Sequence, residues 1–253
     1  MIRNDGECTF CLGFTRKRET TFATKLATAI YEKYQKTVIV LYCDIETPVL
    51  PVVFPNFKRE YLASVGVALS KAELLQNDVI QCLVTIKGKP NFGFLGFRDG
   101  ENKNTFPRFT RNKVEDLIDT LRGISDYIIV DCTSNLENNI LAATALELAD
   151  MTFRLTAPDL KSISWNLSQM PLYADKKYHC QNHVQGINVP NADVLYPIEE
   201  TKAHMRDVAF LMPYSAAVKT QMQEGRLYFR SGDRGYDVCM NQIAERVVRY
   251  ASN

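Results

Sequence analysis

Two stretches constrain the fold more than anything else in the chain. TVIVLYC (37–43) and DYIIVDC (126–132) carry apolar residues through their middles with no polar alternation. A strand with one wet face alternates; a strand covered by helices on both faces does not. Each stretch follows a segment with helical spacing. TTFATKLATAIYEKYQK puts Phe22, Leu26, Ile30 and Tyr34 on one face, and a second helix is expected near Asn112–Leu121. Helices alternating with fully covered strands predict an α/β fold: a doubly wound, mostly parallel sheet with helices on both faces.

The rest of the chain extends this pattern. A first strand is expected at Cys8–Leu12, then a polar loop Gly13–Glu19, then a helix from Thr20. With TVIVLYC this makes a βαβ unit with a right-handed crossover. Pro48, Pro51 and Pro55 punctuate a loop, and Phe57–Asn77 has weak helical spacing. Two apolar stretches flank Lys87-Gly88-Lys89-Pro90. The first fits a helix or a strand, and the second, NFGFLGF, a strand. A helix near Asn138–Leu148 leads to a strand at MTFRLT, and a helix containing Trp165 follows Pro158. Tyr178–Val194 has no readable period. VAFLMPY reads as the last strand and Gln242–Tyr250 as a closing amphipathic helix. No linker, repeat or low-complexity segment interrupts residues 1–253, so a single domain is expected.

Composition narrows the function classes. The net charge of +1 gives little bulk attraction to nucleic acid or to an anionic membrane. The seven cysteines are odd in number and follow no secretory signal, so reduced thiols in a cytoplasmic protein are expected. Cys8 and Cys11 have the Cys-x-x-Cys spacing but lie in an apolar run with no second pair, which favours core residues over a zinc site. No stretch reaches the roughly 18–20 apolar residues of a membrane span.

The loop after the first strand carries the chemical signal. A phosphate-binding loop reads G-x-x-x-x-G-K-[ST]: backbone N–H groups cradle the phosphates, the lysine neutralises charge and the hydroxyl holds Mg²⁺. In that register this chain has Gly13, four residues from Phe14 to Lys17, then Arg18, Glu19, Thr20 and Thr21. The first glycine and the two threonines match. Arg18 replaces the second glycine and Glu19 replaces the lysine. At ~4 Å and an effective dielectric near 20, a unit-charge pair is worth about 4 kcal/mol, so the exchange turns an attraction for triphosphate into a similar repulsion.

The order of these segments resembles the ParA/MinD family of P-loop ATPases, including the MinD-like proteins of pilus and secretion systems. It rests on GFTRKRETTFATKLATAIYEKYQKTVIVLYCDIETP, DYIIVDC, the helix end LELADM with FRLTAPD, and VAFLMPYSAAVKTQMQEGRLY. The resemblance implies a P-loop NTPase-like three-layer fold and an ATP·Mg²⁺ site. It implies Thr20, Asp44 and Asp131 about the metal, Asp44 and Glu46 about the attacking water, and Gly13, Arg16, Lys17, Arg18, Glu19, Thr20 and Thr21 along the phosphates. Without it, Asp44 and Asp131 read as strand-end caps and Thr20 as a helix N-cap. The family's early loop lysine falls on Phe14, and the Pro and Gly expected after Asp131 are missing from CTSN.

The expected function is therefore a pseudo-ATPase: a scaffold or partner-binding subunit of a cytoplasmic assembly serving a pilus, secretion, conjugation or cargo positioning. The alternative is an active, divergent ATPase in which Arg16, Lys17 or Arg18 replaces the missing lysines. Partners are expected to be proteins, with a homodimer through the loop face implied by the family. The near-zero charge disfavours nucleic acid. Ile243, Val247, Val248 and Ala251 can cover one face of the closing helix against the domain, away from Arg246 and Arg249, which limits peripheral membrane contact.

Overall fold

The computed structural model describes residues 7–13, 19–58, 62–133, 136, 138–194 and 196–251. Among the described residues, eight strands form one sheet: β1 Glu7–Gly13, β2 Val38–Tyr42, β3 Val84–Ile86, β4 Lys89–Leu95, β5 Tyr127–Cys132, β6 Met151–Thr156, β7 Val184–Asn188 and β8 Val208–Met212. Their order is β3-β4-β2-β5-β1-β6-β7-β8. Every pairing is parallel except the β3–β4 hairpin, which turns through Gly88 at a φ of 85°. The expected α/β, mostly parallel sheet is borne out.

Ten α-helices flank the strands among the described residues: α1 Glu19–Tyr34, α2 Leu50–Val53, α3 Val65–Leu69, α4 Gln76–Cys82, α5 Arg111–Ile124, α6 Ile140–Glu147, α7 Leu160–Gln169, α8 Ile198–Ala203, α9 Ala216–Gln223 and α10 Arg234–Ala251. Side-chain caps start several of them. Thr110, Asn139, Asp159 and Ser215 each accept a first-turn N–H of α5, α6, α7 and α9. None of the described helices is long and apolar enough to cross a membrane.

The missing alternation in β2 has the cause expected of it. Val38, Val40 and Tyr42 point to one core with Phe22, Leu26 and Ile30 of α1 and Ile243 and Val247 of α10. Ile39 and Leu41 point to another with Leu117 and Leu121 of α5 and Leu141 and Ala145 of α6. Both layers exclude water, so every β2 side chain is buried. On α10, Arg246 and Arg249 are exposed and Ile243, Ala244 and Val247 are buried.

Several expectations need correction. The proline-punctuated loop contains α2, with Pro51 in its first turn, where no N–H is needed. Of 57–77, only α3 and the first residues of α4 are helical among the described residues. The stretch near Val79 is both helix and strand: α4 ends at Cys82 and β3 follows. Tyr178–Val194 contains β7, and the closing helix begins at Arg234. Cys43, Cys82, Cys132, Cys180 and Cys239 are in no disulfide, while the Cys8 and Cys11 side chains lie outside the described residues.

Candidate phosphate-loop site

The carboxyl ends of β1, β2 and β5 stand side by side, and the connection from β1 enters the amino end of α1. Open α/β sheets bind ligands at such places. Gly13 is the last residue of β1. Phe14, Arg16, Lys17 and Arg18, the loop residues expected along the phosphates or in place of the family's early lysine, fall outside the described residues. Glu19 opens α1, followed by Thr20 and Thr21 in its first turn.

Thr20 and Asp131 are brought together. The Thr20 hydroxyl donates to Asp131 Oδ2 at 2.7 Å. Neighbouring contacts hold both residues in place. Cys43 N–H donates to the Asp131 carbonyl at 3.0 Å, locking the end of β2 to the end of β5. Asn139 Nδ2 donates to the Cys43 carbonyl at 2.7 Å while its Oδ1 caps α6. Thr24 donates to the Thr20 carbonyl at 2.7 Å and meets the buried Tyr42 hydroxyl at 2.9 Å.

Asp44 follows β2. Its Oδ1 accepts the N–H groups of Glu46 and Thr47, each at 2.9 Å, which shapes the turn. Glu46 is exposed, and no described contact draws its side chain to Thr20 or Asp131. Thr21 is half-buried.

The electrostatics of this site are adverse to an anion. Glu19 Oε1 and Asp131 Oδ1 are buried with no hydrogen-bond partner. Burial holds the Glu19 carboxyl well above the usual carboxylate range, and the Asp131 and Asp44 charges push it further. Burial also lifts Asp131, to about 7, against the lowering effect of the Thr20 hydrogen bond; Asp44 adds to the rise. Among the described residues, no cation forms an ion pair with Glu19 or Asp131. Lys25, the first lysine of α1, is buried elsewhere: it donates to Gln221 Oε1 and to the Phe229 carbonyl, and burial lowers it to about 8.

These residues fit one half of an ATP·Mg²⁺ site and oppose the other. A hydroxyl beside a buried carboxylate, at a helix start and a strand end, is the arrangement that holds Mg²⁺ in phosphate loops. A buried carboxyl one residue earlier opposes the β- and γ-phosphates. No hydrolytic step is derived through a group that this charge pattern resists. Sequence reading missed Thr24, Tyr42 and Asn139, which buttress the pair; only the Asn-then-helix pattern at 139–140 hinted at one of them.

No protein-family profile matches the chain, and no curated protein matches it. Solved structures do. The ParA family ATPase of Chlorobium tepidum TLS superposes with a TM-score of 0.72 at 14% identity, covering 96% of this chain and 99% of that one. The septum site-determining protein MinD of Pyrococcus horikoshii, in complex with Mg-ADP, gives 0.70 at 17%, covering 97% of each chain. The MinC:MinD cell division complex of Aquifex aeolicus gives 0.69 at 15%, covering 96% of each chain. The chain has the MinD/ParA fold, as the resemblance implied.

Proposed function

We propose that this protein is a ParA/MinD-like pseudo-ATPase, a scaffold or partner-binding subunit of a cytoplasmic assembly. The observation that carries the reading is the buried Glu19 carboxyl, one oxygen unpartnered, beside Asp131. A triphosphate would meet a buried carboxyl, with no cation to neutralise it, where the phosphate-loop lysine normally stands. The fold around the site is kept, which suits a role that uses the fold without its hydrolysis. The Aquifex aeolicus MinD seen with MinC supports a protein partner for this fold. A pilus, secretion or conjugation system, or a cargo-positioning system, fits that role, and a homodimer through the loop face fits the fold.

One observation favours a second reading, an active divergent ATPase. The Thr20–Asp131 hydrogen bond keeps the metal-side pair assembled. In that reading Thr20, Asp44 and Asp131 hold Mg²⁺, Glu46 and Asp44 manage the water, and Arg16, Lys17 or Arg18 supplies the missing cation.

Calorimetric titration of the full chain with Mg-ATP separates the two. The pseudo-ATPase reading expects no binding in the micromolar range and no phosphate release. Clear micromolar binding, or turnover abolished by Asp131→Ala, would overturn it in favour of the ATPase.

A further inference from the structure

Glu19 and Asp131 leave a demand that no described residue meets. Asp131 is 5% exposed, and one oxygen of each carboxyl, Glu19 Oε1 and Asp131 Oδ1, is buried with no hydrogen-bond partner. The charges of Asp131 and Asp44 both bear on Glu19, so three acids share one neighbourhood. A buried oxygen without a donor is costly, and more so where its group is charged.

A donor is one remedy for such a pair and a cation is the other. The geometry favours the cation. Thr20 spends its only proton on Asp131 Oδ2, 2.7 Å away, so its lone pairs remain for a ligand bond. Asp44 Oδ1 is taken by the N–H groups of Glu46 and Thr47, and its charge acts from a distance. The groups left over are two carboxylates and a hydroxyl, all hard oxygen ligands, which suit Mg²⁺ and Mn²⁺.

Among the described residues, no group of three or more His, Cys, Asp or Glu side chains is placed to hold a metal. A site with two carboxylates leaves most of the coordination to water. Mg²⁺ is the ion that accepts this: it keeps several waters and takes one or two carboxylates, with phosphate oxygens where a nucleotide is bound. Glu19 occupies the register of the phosphate-loop lysine. A lysine there neutralises phosphate; a carboxylate there is itself an anionic oxygen ligand.

We propose that Glu19, Thr20 and Asp131 hold one divalent cation of the Mg²⁺ class without any nucleotide, the Glu19 carboxylate standing in for the phosphate oxygen of a loaded phosphate loop. The inference rests on the same Glu19 that carries the pseudo-ATPase reading. The side chain that opposes the triphosphate takes its place at the metal. The ion gives the buried acids their counter-charge and ties the start of α1 to the end of β5.

The test uses the full chain, treated with EDTA and free of nucleotide. It is titrated with MgCl₂ in a calorimeter and with MnCl₂ followed by electron paramagnetic resonance. The pH is held near 8, because carboxylates bind metal in their deprotonated form. One saturable ion per chain is expected, with a Kd below about 1 mM, and a saturating ion should raise the Tm. Glu19→Gln and Asp131→Asn each keep the size of the side chain and remove a charged ligand. Each should weaken binding by about tenfold or more. Their ligand-free forms should melt no lower than the parent, which separates a lost ligand from a lost fold. Glu199→Gln, at the exposed start of α8, removes a surface charge and should leave the Kd unaltered. The proposal is overturned if no ion saturates, if Glu19→Gln binds as the parent does, or if Glu199→Gln weakens binding as much. An ion that binds only with ATP present would sink this proposal and the pseudo-ATPase reading together. Failure of both Mg-ATP and the ion alone would sink this proposal and leave that reading standing.

Discussion

The hydroxyl of Thr20 donates to the carboxylate of Asp131, 2.7 Å away across 111 residues of sequence. The contact joins the start of α1 to the end of β5, and it is the pairing a phosphate loop uses on its metal side. One position earlier, Glu19 places an unpartnered carboxyl oxygen in the same buried setting. The hydroxyl–carboxylate pair is in place, and the position of the phosphate-loop lysine holds a buried carboxyl instead.

Glu19→Lys should put a cation where the buried carboxyl now stands. A lysine at this position faces Asp131 and Asp44, so the ligand-free protein should gain stability. Mg-ATP affinity should rise by at least about 100-fold, from no measurable binding in calorimetry. A variant that folds but still ignores Mg-ATP would show that charge at position 19 is not what shuts the site.

Asp131→Asn should stabilise the protein near and above neutral pH. In the folded chain Asp131 titrates near 7, above its ordinary 3.8. Between those values the folded state holds a proton that the unfolded chain has lost, so the stability contribution is full below about pH 4 and falls as pH rises to 7. Asparagine cannot ionise and still accepts the Thr20 hydroxyl. The gain should be on the order of 2 kcal/mol at pH 8 and absent near pH 4, read from urea melts at both pH values.

Thr20→Val keeps the shape and removes the donor. Asp131 then loses the one described hydrogen bond that favours its charged form. Stability at pH 8 should drop by about 1–2 kcal/mol, with a smaller loss at pH 4, where the carboxyl is protonated. Equal losses at both pH values would count against a charge-assisted bond.

His183→Gln isolates a titration of the opposite sense. Burial depresses the folded pKa of His183 to about 4 from the ordinary 6.5, so its contribution is full above pH 6.5 and is lost as pH falls to 4. Glutamine keeps a donor for the Tyr178 carbonyl and does not titrate. The variant should lose less stability than the parent on acidification from pH 7 to 4, by on the order of 2 kcal/mol.

The sequence made the covered strands legible because burial on two faces leaves a mark at every residue. β2 and β5 show it fully. β7 did not, because Val184-Gln185-Gly186-Ile187-Asn188 mixes polar side chains into a buried strand. Gly186 is there for tertiary reasons: a Cβ would collide with the ring of Phe210 on β8. No local period encodes such a contact. The same limit applied to the site. The spacing from Gly13 placed Glu19 and Thr20 in a phosphate-loop register, and the family resemblance joined Asp131 to them. It said nothing of the burial of Glu19, or of the Asp131 and Asp44 charges that act on its carboxyl from elsewhere in the fold. Asn139 was invisible as a buttress because its partner is a backbone carbonyl at Cys43.

The insertion of β5 between β1 and β2 also sets a schedule for synthesis. Until residues 127–132 leave the ribosome, the two opening strands share no edge, and the strip that should join them is missing. The nascent chain must therefore carry an unfinished sheet centre through more than half its length. Its folding is governed by this late, distant closure.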